Sequence, residues 1–324
     1  MSLTQNLINA NSLNIPLASE SVQMIATSPP YYSLRDYGVP GQLGQEKTPA
    51  EYVESMVRVF RELWRVLRPD GVAWLNLGDS YNGSGGAGGD YNEGGLKEGQ
   101  PKYKGARVDG LKPKDLIGIP WRVAFALQAD GWYLRSDVIW SKPNPMPESV
   151  TDRPTKAHEY VFLLTKSARY FYDAEAIKEP HTTAPGKPRD KRNEGYGAAF
   201  LSPLGEGLRT GYGENGRNKR SVWDVATSPY NGAHFATWPP ALVEPMIKAG
   251  SRKGDIVLDP FAGSGTTGLV ARQLGRRFVG LDLSFAYLRT CARERLGLEA
   301  LRAWKHGKTA NVEAVDDLPL FQTI

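Results

Sequence analysis

The stretch Ser28-Pro29-Pro30-Tyr31 combines three chemical features in four residues. Ser28 carries a hydroxyl, the first proline has a backbone carbonyl that the ring stiffens, and Tyr31 has a flat aromatic face. A hydroxyl and a carbonyl in fixed positions accept hydrogen bonds from two N–H groups, so the turn suits a planar molecule with an amine. Taken alone, the same four residues are also typical of a rigid surface turn.

A second motif, nearer the C-terminus, has the glycine spacing of a nucleotide-binding turn. The strand pattern "DIVLD" leads into "GSGTTG" at 263–268, which opens a helix, and Asp282 closes the next strand. In this context the glycines let the backbone approach a ligand, and the acidic residue binds ribose hydroxyls. The pattern predicts a nucleoside-containing cofactor and leaves open a dinucleotide or S-adenosylmethionine. No Walker lysine follows the glycines, which argues against a nucleoside triphosphate.

Together, "TSPPYY" at 27–32 and "DPFAGSG" at 259–265 resemble the motifs of S-adenosylmethionine-dependent DNA amino-methyltransferases, which modify cytosine N4 or adenine N6. The catalytic motif comes first, an order similar to the circularly permuted β group of that family. The segments "LRPDGVAWLNLGDSY", "VIWSKPNPMPESVTDRPTKAHEYVFLLTKS" and "HFATWPPALVEPMIKAG" also resemble that group, so the likeness covers nearly the whole chain. It implies a Rossmann-like α/β fold: a mostly parallel twisted sheet with helices on both faces and irregular insertions that recognise DNA.

The resemblance implies S-adenosyl-L-methionine as the cofactor, without a metal. Asn11 stands where the family commonly has an acidic contact to the adenine, and Asp282 is expected at the ribose. The other residues that the resemblance assigns to the cofactor are His234, Phe235, Ala236, Thr237, Asp259, Pro260, Phe261, Gly263, Gly265, Thr266 and Thr267.

The reaction implied is methylation of an exocyclic amine, whose lone pair is conjugated into its ring. The Ser28 hydroxyl and the Pro29 carbonyl are expected to accept the two N–H groups, with Pro30 stiffening the turn and Tyr31 stacking on the base. Because a base inside a duplex cannot reach a buried cofactor, the nucleotide must be flipped out of the helix. The product then loses a proton to water or to Ser28, and both routes remain open.

The identity of the base depends on Ser28. Family members with Ser at this position mostly modify cytosine N4, whereas adenine N6 enzymes mostly carry Asp or Asn, so cytosine is favoured and adenine is the alternative. A serine hydroxyl donates or accepts according to its rotor, so it is less committed than a carboxylate. Methylation at cytosine C5 needs a cysteine nucleophile, usually after a proline. Cys291 lies in the helical pattern "LRTCARERL" without a proline before it, which indicates a buried helix residue.

Two other classes of protein are weighed against this one. A Pro-Pro-Tyr turn also serves planar amides, so RNA or a protein amide is a more distant alternative substrate. The third class is a cofactor-bound DNA-recognition protein without turnover.

Composition narrows the class of protein further. The chain has 324 residues, 40% of them hydrophobic, which is enough for a substantial core. Its net charge of +5 is compatible with a polyanionic partner, and a single cysteine excludes disulfide frameworks. No apolar run reaches the roughly 18 residues of a membrane span, and the N-terminus lacks an export signal. We therefore expect a cytoplasmic protein, prokaryotic or phage-encoded, that associates with the nucleoid through DNA and not with a membrane.

Periodicity places the motifs on alternating strands and helices, the pattern of a parallel sheet. Strands are predicted at 5–9, 22–27, 71–81, 133–141, 158–165, 255–259 and 277–282. Helices are predicted from Thr48 to a stop at Arg68-Pro69-Asp70-Gly71, and at 119–129, 239–249, 266–274 and 285–296, before a polar tail.

Two regions interrupt this pattern. Residues 82–110 contain so much glycine that we expect a mobile insertion in a catalytic domain made of residues 1–172 and 221–324. Residues 173–220 are rich in basic residues and are the predicted target-recognition region. Tyr32 is expected either to form a second wall for the base or to pack. The candidate DNA-binding residues are Tyr32, Arg35, Lys142, Arg153, Lys187, Arg189, Lys191, Arg192, Arg209, Arg217, Lys219 and Arg220. Double-stranded DNA is the expected partner, and a cognate restriction endonuclease and a homodimer are further candidates.

Overall fold

The structure is a computed structural model. It describes residues 5–83, 108, 110–180, 216–227 and 237–297, together with the backbone of short strands at 102–103, 301–305 and 308–312. Most of the insertion predicted at 82–110 lies outside these residues.

Strands and helices alternate through most of the described chain. The strands are β1 (Gln5–Asn9), β2 (Val22–Thr27), β3 (Arg35–Asp36), β4 (Leu67–Leu77), β5 (Lys102–Tyr103), β6 (Tyr133–Ser141), β7 (His158–Thr165), β8 (Val222–Asp224), β9 (Ile256–Asp259), β10 (Arg277–Asp282), β11 (Leu301–Lys305) and β12 (Lys308–Val312). The helices are α1 (Pro49–Val66), α2 (Ile119–Ala129), α3 (Pro240–Gly250), α4 (Thr266–Gln273), α5 (Phe285–Tyr287) and α6 (Arg293–Leu296), with a 3-10 turn at Glu175–Ile177 and a π-helical turn at Leu288–Ala292. Within the described ranges, none of these helices is long and apolar enough to cross a lipid bilayer.

A large sheet contains most of the strands, in the order β12-β11-β1-β10-β9-β2-β4-β7-β6-β8. The run from β1 to β4 is parallel, and β7 is antiparallel to both of its neighbours. Strands β3 and β5 form a separate antiparallel pair. Because β2 and β9 are parallel neighbours, the turns that follow them lie at the same edge of the sheet. The predicted mostly parallel α/β sheet is confirmed.

Helices cover both faces of the sheet. Helices α1 and α2 share a core with Ala73, Leu75 and Leu77 of β4. On the opposite face, a Cβ added to Gly250 of α3 would lie 2.7 Å from Val72 Cγ2, so the helix backbone lies directly against the strand. Successive strand residues point to opposite faces, which is why Val72 and Ala73 belong to different layers. A strand that is buried on both faces reads as a continuous apolar run.

The start of α1 is fixed by local sequence. The Thr48 hydroxyl accepts from the Glu51 backbone N–H, and the Glu51 carboxylate accepts from the Thr48 N–H. This reciprocal pair satisfies two backbone donors that a helix leaves open at its N-terminus, and Pro49 suits the first helical position. The buried stripe of the helix includes Tyr52, Met56, Val59, Phe60 and Leu63. Helix α1 thereby carries Tyr52 toward the turn after β2.

Strand β4 begins earlier than predicted. Helix α1 ends at Val66 and β4 starts at Leu67, so the predicted stop at 68–71 lies inside the strand. The pairing of β4 with β2 shifts register between Val22 and Met24, which accommodates Pro69, a residue without an N–H for the ladder.

The C-terminal elements also differ from the prediction. The helix predicted at 285–296 is interrupted by the π-helical turn, where Cys291 is 1% exposed, as expected for a buried helix residue. Strand β11 pairs with β1 and β12, where the sequence predicted only a polar tail. Strand β12 lies at the edge of the sheet, and edge strands are often short and carry charged side chains, so a hydrophobic pattern does not reveal it.

The chain divides into two compact units. Residues 1–173 and 221–324 form the first unit, and residues 174–220 form the second. In the described part of the second unit, the Glu179 carboxylate accepts hydrogen bonds from the side chains of Arg217 and Arg220. Lys219 Nζ lies 3.7 Å from the same carboxylate.

Thr48→Ala should destabilise the protein by about 1 kcal/mol, because it leaves the Glu51 N–H without its cap. Thr48→Ser keeps the hydroxyl and is the matched control, with a free energy of unfolding close to that of the wild type. Urea denaturation followed by circular dichroism measures both variants. Equal stability of all three proteins would contradict a role for the cap.

Candidate active site

The turn Ser28-Pro29-Pro30-Tyr31 lies at the carboxyl end of β2 and is held by Tyr52 of α1. The Tyr52 hydroxyl donates to the Pro30 carbonyl at 2.8 Å. Tyr32 is 3% exposed, donates to the Lys47 carbonyl and packs on Tyr52 with ring centroids 5.7 Å apart. Helix α1 therefore holds the turn in position through Tyr52. Tyr32 packs against this helix and does not form a second wall for a base.

The ring of Tyr31 lies against the backbone of Gly78, the residue after β4. A Cβ at Gly78 would be 2.5 Å from Tyr31 Cε2, closer than any side chain could approach. On the other side of the residue, a Cβ at Gly44 would be 2.7 Å from the Tyr31 carbonyl oxygen, and Gly44 has a φ of +88°. Two glycines therefore give Tyr31 its position.

Glu159 of β7 is the centre of a polar cluster next to this turn. Its Oε2 accepts from Tyr31 Oη at 2.6 Å and from Asn76 Nδ2 at 2.9 Å, and its Oε1 accepts from Lys142 Nζ at 2.5 Å. Asn76 Nδ2 also lies 2.7 Å from Tyr31 Oη and 3.2 Å from Ser28 Oγ. We call Ser28, Tyr31, Asn76, Lys142 and Glu159 the carboxylate cluster.

The carboxylate of this cluster is ionised. Burial raises the pKa of Glu159, but the charge of Lys142 and the hydrogen bonds from Lys142, Tyr31 and Asn76 outweigh it and lower the pKa. Burial and the adjacent Glu159 charge raise the pKa of Tyr31 well above its usual value. Tyr31 is therefore a protonated donor, and Glu159 is an anionic acceptor.

Asp259, at the end of β9, connects the two motifs. Its Oδ1 accepts from Thr27 Oγ1 at 2.9 Å and from the Phe261 N–H at 3.1 Å, and its Oδ2 accepts from Thr267 Oγ1 at 2.6 Å. Its side chain is buried, and burial raises its pKa to about 6, against the opposing effect of these hydrogen bonds. One carboxylate thus joins the end of β2 to the glycine-rich turn and to α4.

The glycine-rich turn requires glycine at two of its positions. Gly265 has a φ of +76°, and its added Cβ would lie 3.1 Å from Ala292. A Cβ at Gly268 would lie 2.5 Å from the ring of Phe278, so α4 packs closely on β10.

Asp282, at the end of β10, accepts the backbone N–H groups of Gly263 and Ser284, one on each oxygen, at 2.9 and 2.8 Å. Burial raises the pKa of Asp282 to about 6, although both hydrogen bonds lower it. A carboxylate has about four lone-pair sites, so each oxygen keeps the capacity to accept one more hydroxyl.

A cavity of about 610 Å³ joins the two turns. Ser28 and Tyr31 line it on one side, and Gly263 and Asp282 line it on the other. Its volume lies in the range of small-molecule sites in proteins. The arrangement brings the glycine-rich turn and the Ser28-to-Tyr31 turn into the same space.

The sequence profile of the DNA methylase family, which covers N6 and N4 methyltransferases, matches residues 22–293. The chain belongs to this DNA methylase family. It is similar to the Type II methyltransferase M.SmaI of Serratia marcescens, with 46% identity over 86% of each chain. The DNA methylase is an S-adenosylmethionine-dependent amino-methyltransferase of the N4/N6 family, as the resemblance implied.

Solved structures share the fold of this DNA methylase. The PvuII DNA methyltransferase, named cytosine-N4-specific, has a TM-score of 0.60 and 19% identity, with 92% of this chain and 88% of that chain covered. TTHA0409 of Thermus thermophilus, solved with S-adenosyl-L-methionine, has a TM-score of 0.57 and 20% identity, with 91% and 93% covered.

Most of the residues predicted for catalysis and for cofactor binding in the DNA methylase line the cavity. They include Ser28, Pro29, Pro30, Tyr31, Thr237, Asp259, Phe261, Gly263, Thr266 and Asp282. Pro260, Gly265 and Thr267 shape the glycine-rich turn without lining the cavity. Asn11 is exposed, its Oδ1 accepts from the Leu13 N–H, and the structure does not bring it to the cavity. His234, Phe235 and Ala236 lie outside the described residues.

The basic residues predicted to bind DNA have varied surroundings. Lys142 belongs to the carboxylate cluster, and its Nζ also lies 4.3 Å from the ring centroid of Trp140, so it is not a free phosphate ligand. Arg153 donates to Glu148 and covers the ring of Tyr81. Arg35 lines the cavity, while Arg217, Lys219 and Arg220 surround Glu179. Lys187, Arg189, Lys191, Arg192 and Arg209 lie outside the described residues.

Sequence reasoning missed the polar wall of the cavity. Asn76, Glu159 and Lys156 line it, and burial lowers the pKa of the Lys156 ammonium, which donates to the Asp79 carbonyl. A signal was present, because Asn76 is a polar residue within the apolar run of β4 and Glu159 directly precedes the apolar run of β7. Polar side chains in buried strands are uncommon unless they are paired.

Gly78→Ala should lower the rate of methyl transfer to DNA by roughly a hundredfold. The added Cβ would displace the ring of Tyr31 by about 1 Å, and a misplacement of that size in the site can slow a reaction by this factor. The overpacking should also cost about 1–3 kcal/mol of stability, which leaves the protein folded. Transfer of labelled methyl groups measures the rate. In a Tyr31→Ala background the ring is gone, so the same change should have little further effect, and fully additive losses would refute this contact.

Proposed function

We propose that this DNA methylase transfers a methyl group to the exocyclic N4 amine of cytosine in duplex DNA, with the target base flipped into the cavity. The observation that carries the proposal is the cavity shared by the Ser28-to-Tyr31 turn and the glycine-rich turn. Ser28 at the first position of the turn favours cytosine. The PvuII DNA methyltransferase, which shares the fold, is named cytosine-N4-specific, in agreement with this choice. Adenine N6 is the second candidate.

The donor set at the glycine-rich turn fits S-adenosylmethionine. Asp282 keeps acceptor capacity for ribose hydroxyls, and Phe261 and Tyr287 offer apolar surface beside it for the adenine. Thr266 begins α4, whose N-terminal N–H groups suit a carboxylate. Bound there, the cofactor supplies an electrophilic sulfonium methyl group.

The catalytic turn holds the target amine. Ser28 Oγ and the Pro29 carbonyl accept its two N–H groups, which turns the nitrogen lone pair toward the methyl donor. Tyr31 stacks on the base. Tyr52 holds the turn in position by donating to the Pro30 carbonyl, and the backbone of Gly78 packs against the ring of Tyr31. Positioning of this kind lowers the barrier because the reactants no longer lose orientational freedom during the reaction.

Duplex DNA is expected to lie over the mouth of the cavity. Met146 lines the cavity, is 86% exposed and lies between two prolines, so it suits an apolar contact with the bases left behind. Residues 173–220 form the target-recognition region in this proposal, and the separate compact unit at 174–220 supports it. The similarity to Type II methyltransferases supports a cognate restriction endonuclease as the partner in this proposal.

Mass spectrometry of nucleosides tests the proposal. DNA treated with the protein and S-adenosylmethionine should yield N4-methylcytosine, and Ser28→Ala should lower the yield rate by about 10²-fold, because an acceptor for the amine is lost. Ser21→Ala is the control and should match the wild type, because Ser21 is a half-buried serine that donates to the Ala18 carbonyl and does not line the cavity. N6-methyladenine would instead support the second candidate, and no methylated base at all would refute both.

Binding of the cofactor should depend on pH through Asp282. Its pKa of about 6 leaves it ionised at pH 7.5, and protonation as the pH falls through 6 removes acceptor capacity for the ribose. Calorimetry should show the affinity for S-adenosylmethionine falling about tenfold between pH 7.5 and 5. Asp282→Asn should bind more weakly at pH 7.5 and flatten the profile. An unchanged slope in that variant would assign the titration to Asp259, whose pKa is also about 6.

A further inference from the structure

Glu159 is a buried charge that the proposed reaction does not yet use. Its side chain is 14% exposed, and that of its partner Lys142 is 18% exposed. A buried ion pair is seldom retained for stability, because well-packed apolar residues of similar volume often do as well. All five members of the carboxylate cluster line the cavity, although they come from four separate segments of the chain. The cluster therefore belongs with the chemistry of the cavity.

The direction of each hydrogen bond in the cluster follows from the charge of Glu159. A carboxylate only accepts, so the single proton of Tyr31 Oη points to Glu159 Oε2, 2.6 Å away. Tyr31 Oη is then an acceptor toward its other neighbours, Asn76 Nδ2 at 2.7 Å and Ser28 Oγ at 3.4 Å. The same carboxylate turns the Asn76 amide so that Nδ2 faces Glu159, Tyr31 and Ser28.

These directions determine the state of the Ser28 hydroxyl. Its oxygen lies 3.2 Å from Asn76 Nδ2, whose two N–H groups are shared among Tyr31, Glu159 and Ser28, and the hydrogen-bond acceptor beside its own proton is Tyr31 Oη. With the proton turned into the cluster, a lone pair of Ser28 Oγ remains for the cavity. The rotor of the serine, which the sequence leaves undecided, is thus biased toward acceptance by a charge two hydrogen bonds away.

We propose that Glu159 is a positioning residue that, through Tyr31 and Asn76, commits Ser28 to accept a hydrogen bond and so makes the site select a base with an exocyclic amine over one with a carbonyl. Lys142 keeps Glu159 charged in this role. The inference rests on the proposed function, and it holds for cytosine N4 and adenine N6 alike because both present an amine.

Glu159→Gln allows the hydrogen bond between residue 159 and Tyr31 Oη to reverse its direction, while a side chain of similar size remains. A glutamine amide offers N–H donors as well as an oxygen, so Tyr31 Oη is free to accept from residue 159 and to donate to Ser28. Tyr31→Phe breaks the same chain at its middle and leaves the Glu159 to Lys142 pair intact. Both variants should bind S-adenosylhomocysteine, measured by calorimetry, within about twofold of the wild type, because neither residue touches the glycine-rich turn.

The decisive readout is base discrimination in binding. With S-adenosylhomocysteine present, the wild type should bind a duplex with the amine base roughly tenfold more tightly than one with its carbonyl counterpart, cytosine against uracil or adenine against hypoxanthine. In Glu159→Gln and in Tyr31→Phe the ratio should fall to about twofold or less. The double variant should resemble either single variant, because both break one chain of hydrogen bonds.

Glu62→Gln is the matched control. It removes a partly buried carboxylate that pairs with Arg65 and accepts from the Ile15 N–H, away from the cavity, and it should keep the wild-type ratio. An unchanged ratio in Glu159→Gln, with lowered melting temperature alone, would overturn the inference and leave Glu159 as a structural residue. The duplexes carry the base that mass spectrometry finds methylated by the wild type, so a failure of the proposed function is detected in that earlier step.

Discussion

The carboxylate of Asp259 links the end of β2 to the glycine-rich turn and to α4. It accepts from Thr27 at the end of β2 and from Thr267 in α4, two residues that are far apart in the chain. A buried carboxylate left without donors is costly, so these hydrogen bonds oblige the two segments to meet. The pKa of Asp259 is nevertheless raised, because the hydrogen bonds only partly offset the effect of burial on the ionised form. The Ser28-to-Tyr31 turn and the glycine-rich turn are consequently fixed on either side of one residue.

The strand order of the sheet places the two turns where a ligand can reach both of them. Parallel strands β2 and β9 are neighbours, so the loops that follow them open toward the same edge. Ligands of open α/β sheets bind at the carboxyl ends of the strands, where helix N-termini and loop side chains converge. Tyr52 and Gly78 then convert a loop into a rigid wall, because one donates to the Pro30 carbonyl and the other leaves room for the ring of Tyr31. Rigidity here comes from packing as well as from the prolines.

A basic side chain can bind DNA or pair with a carboxylate inside the protein, and composition alone does not separate these two roles. Lys142 looks like a DNA ligand in a basic sequence, yet in the structure it is paired with Glu159 inside the cavity. Arg153 is likewise engaged, by Glu148 and by the ring of Tyr81. A lysine or arginine in a sequence reports only that a charge exists. Its partner is decided by the segments that the fold brings beside it, here β7 and the chain that follows β6 and β4.

The amino-acid sequence was enough to predict those elements that have strong local causes. Periodicity and capping residues located α1, glycine spacing located the turn before α4, and Ser28-Pro29-Pro30-Tyr31 indicated acceptance of an amine. Only the folded protein reveals the carboxylate cluster, the exposure of Asn11, the packing of Tyr32, and the pairing of β11 with β1 and with β12. The physical reason is range: caps, turns and stripes act between residues a few positions apart. A buried polar group takes its partner from whichever distant strand lies next to it, as Asn76 Nδ2 does from Glu159, and no local pattern encodes that neighbour.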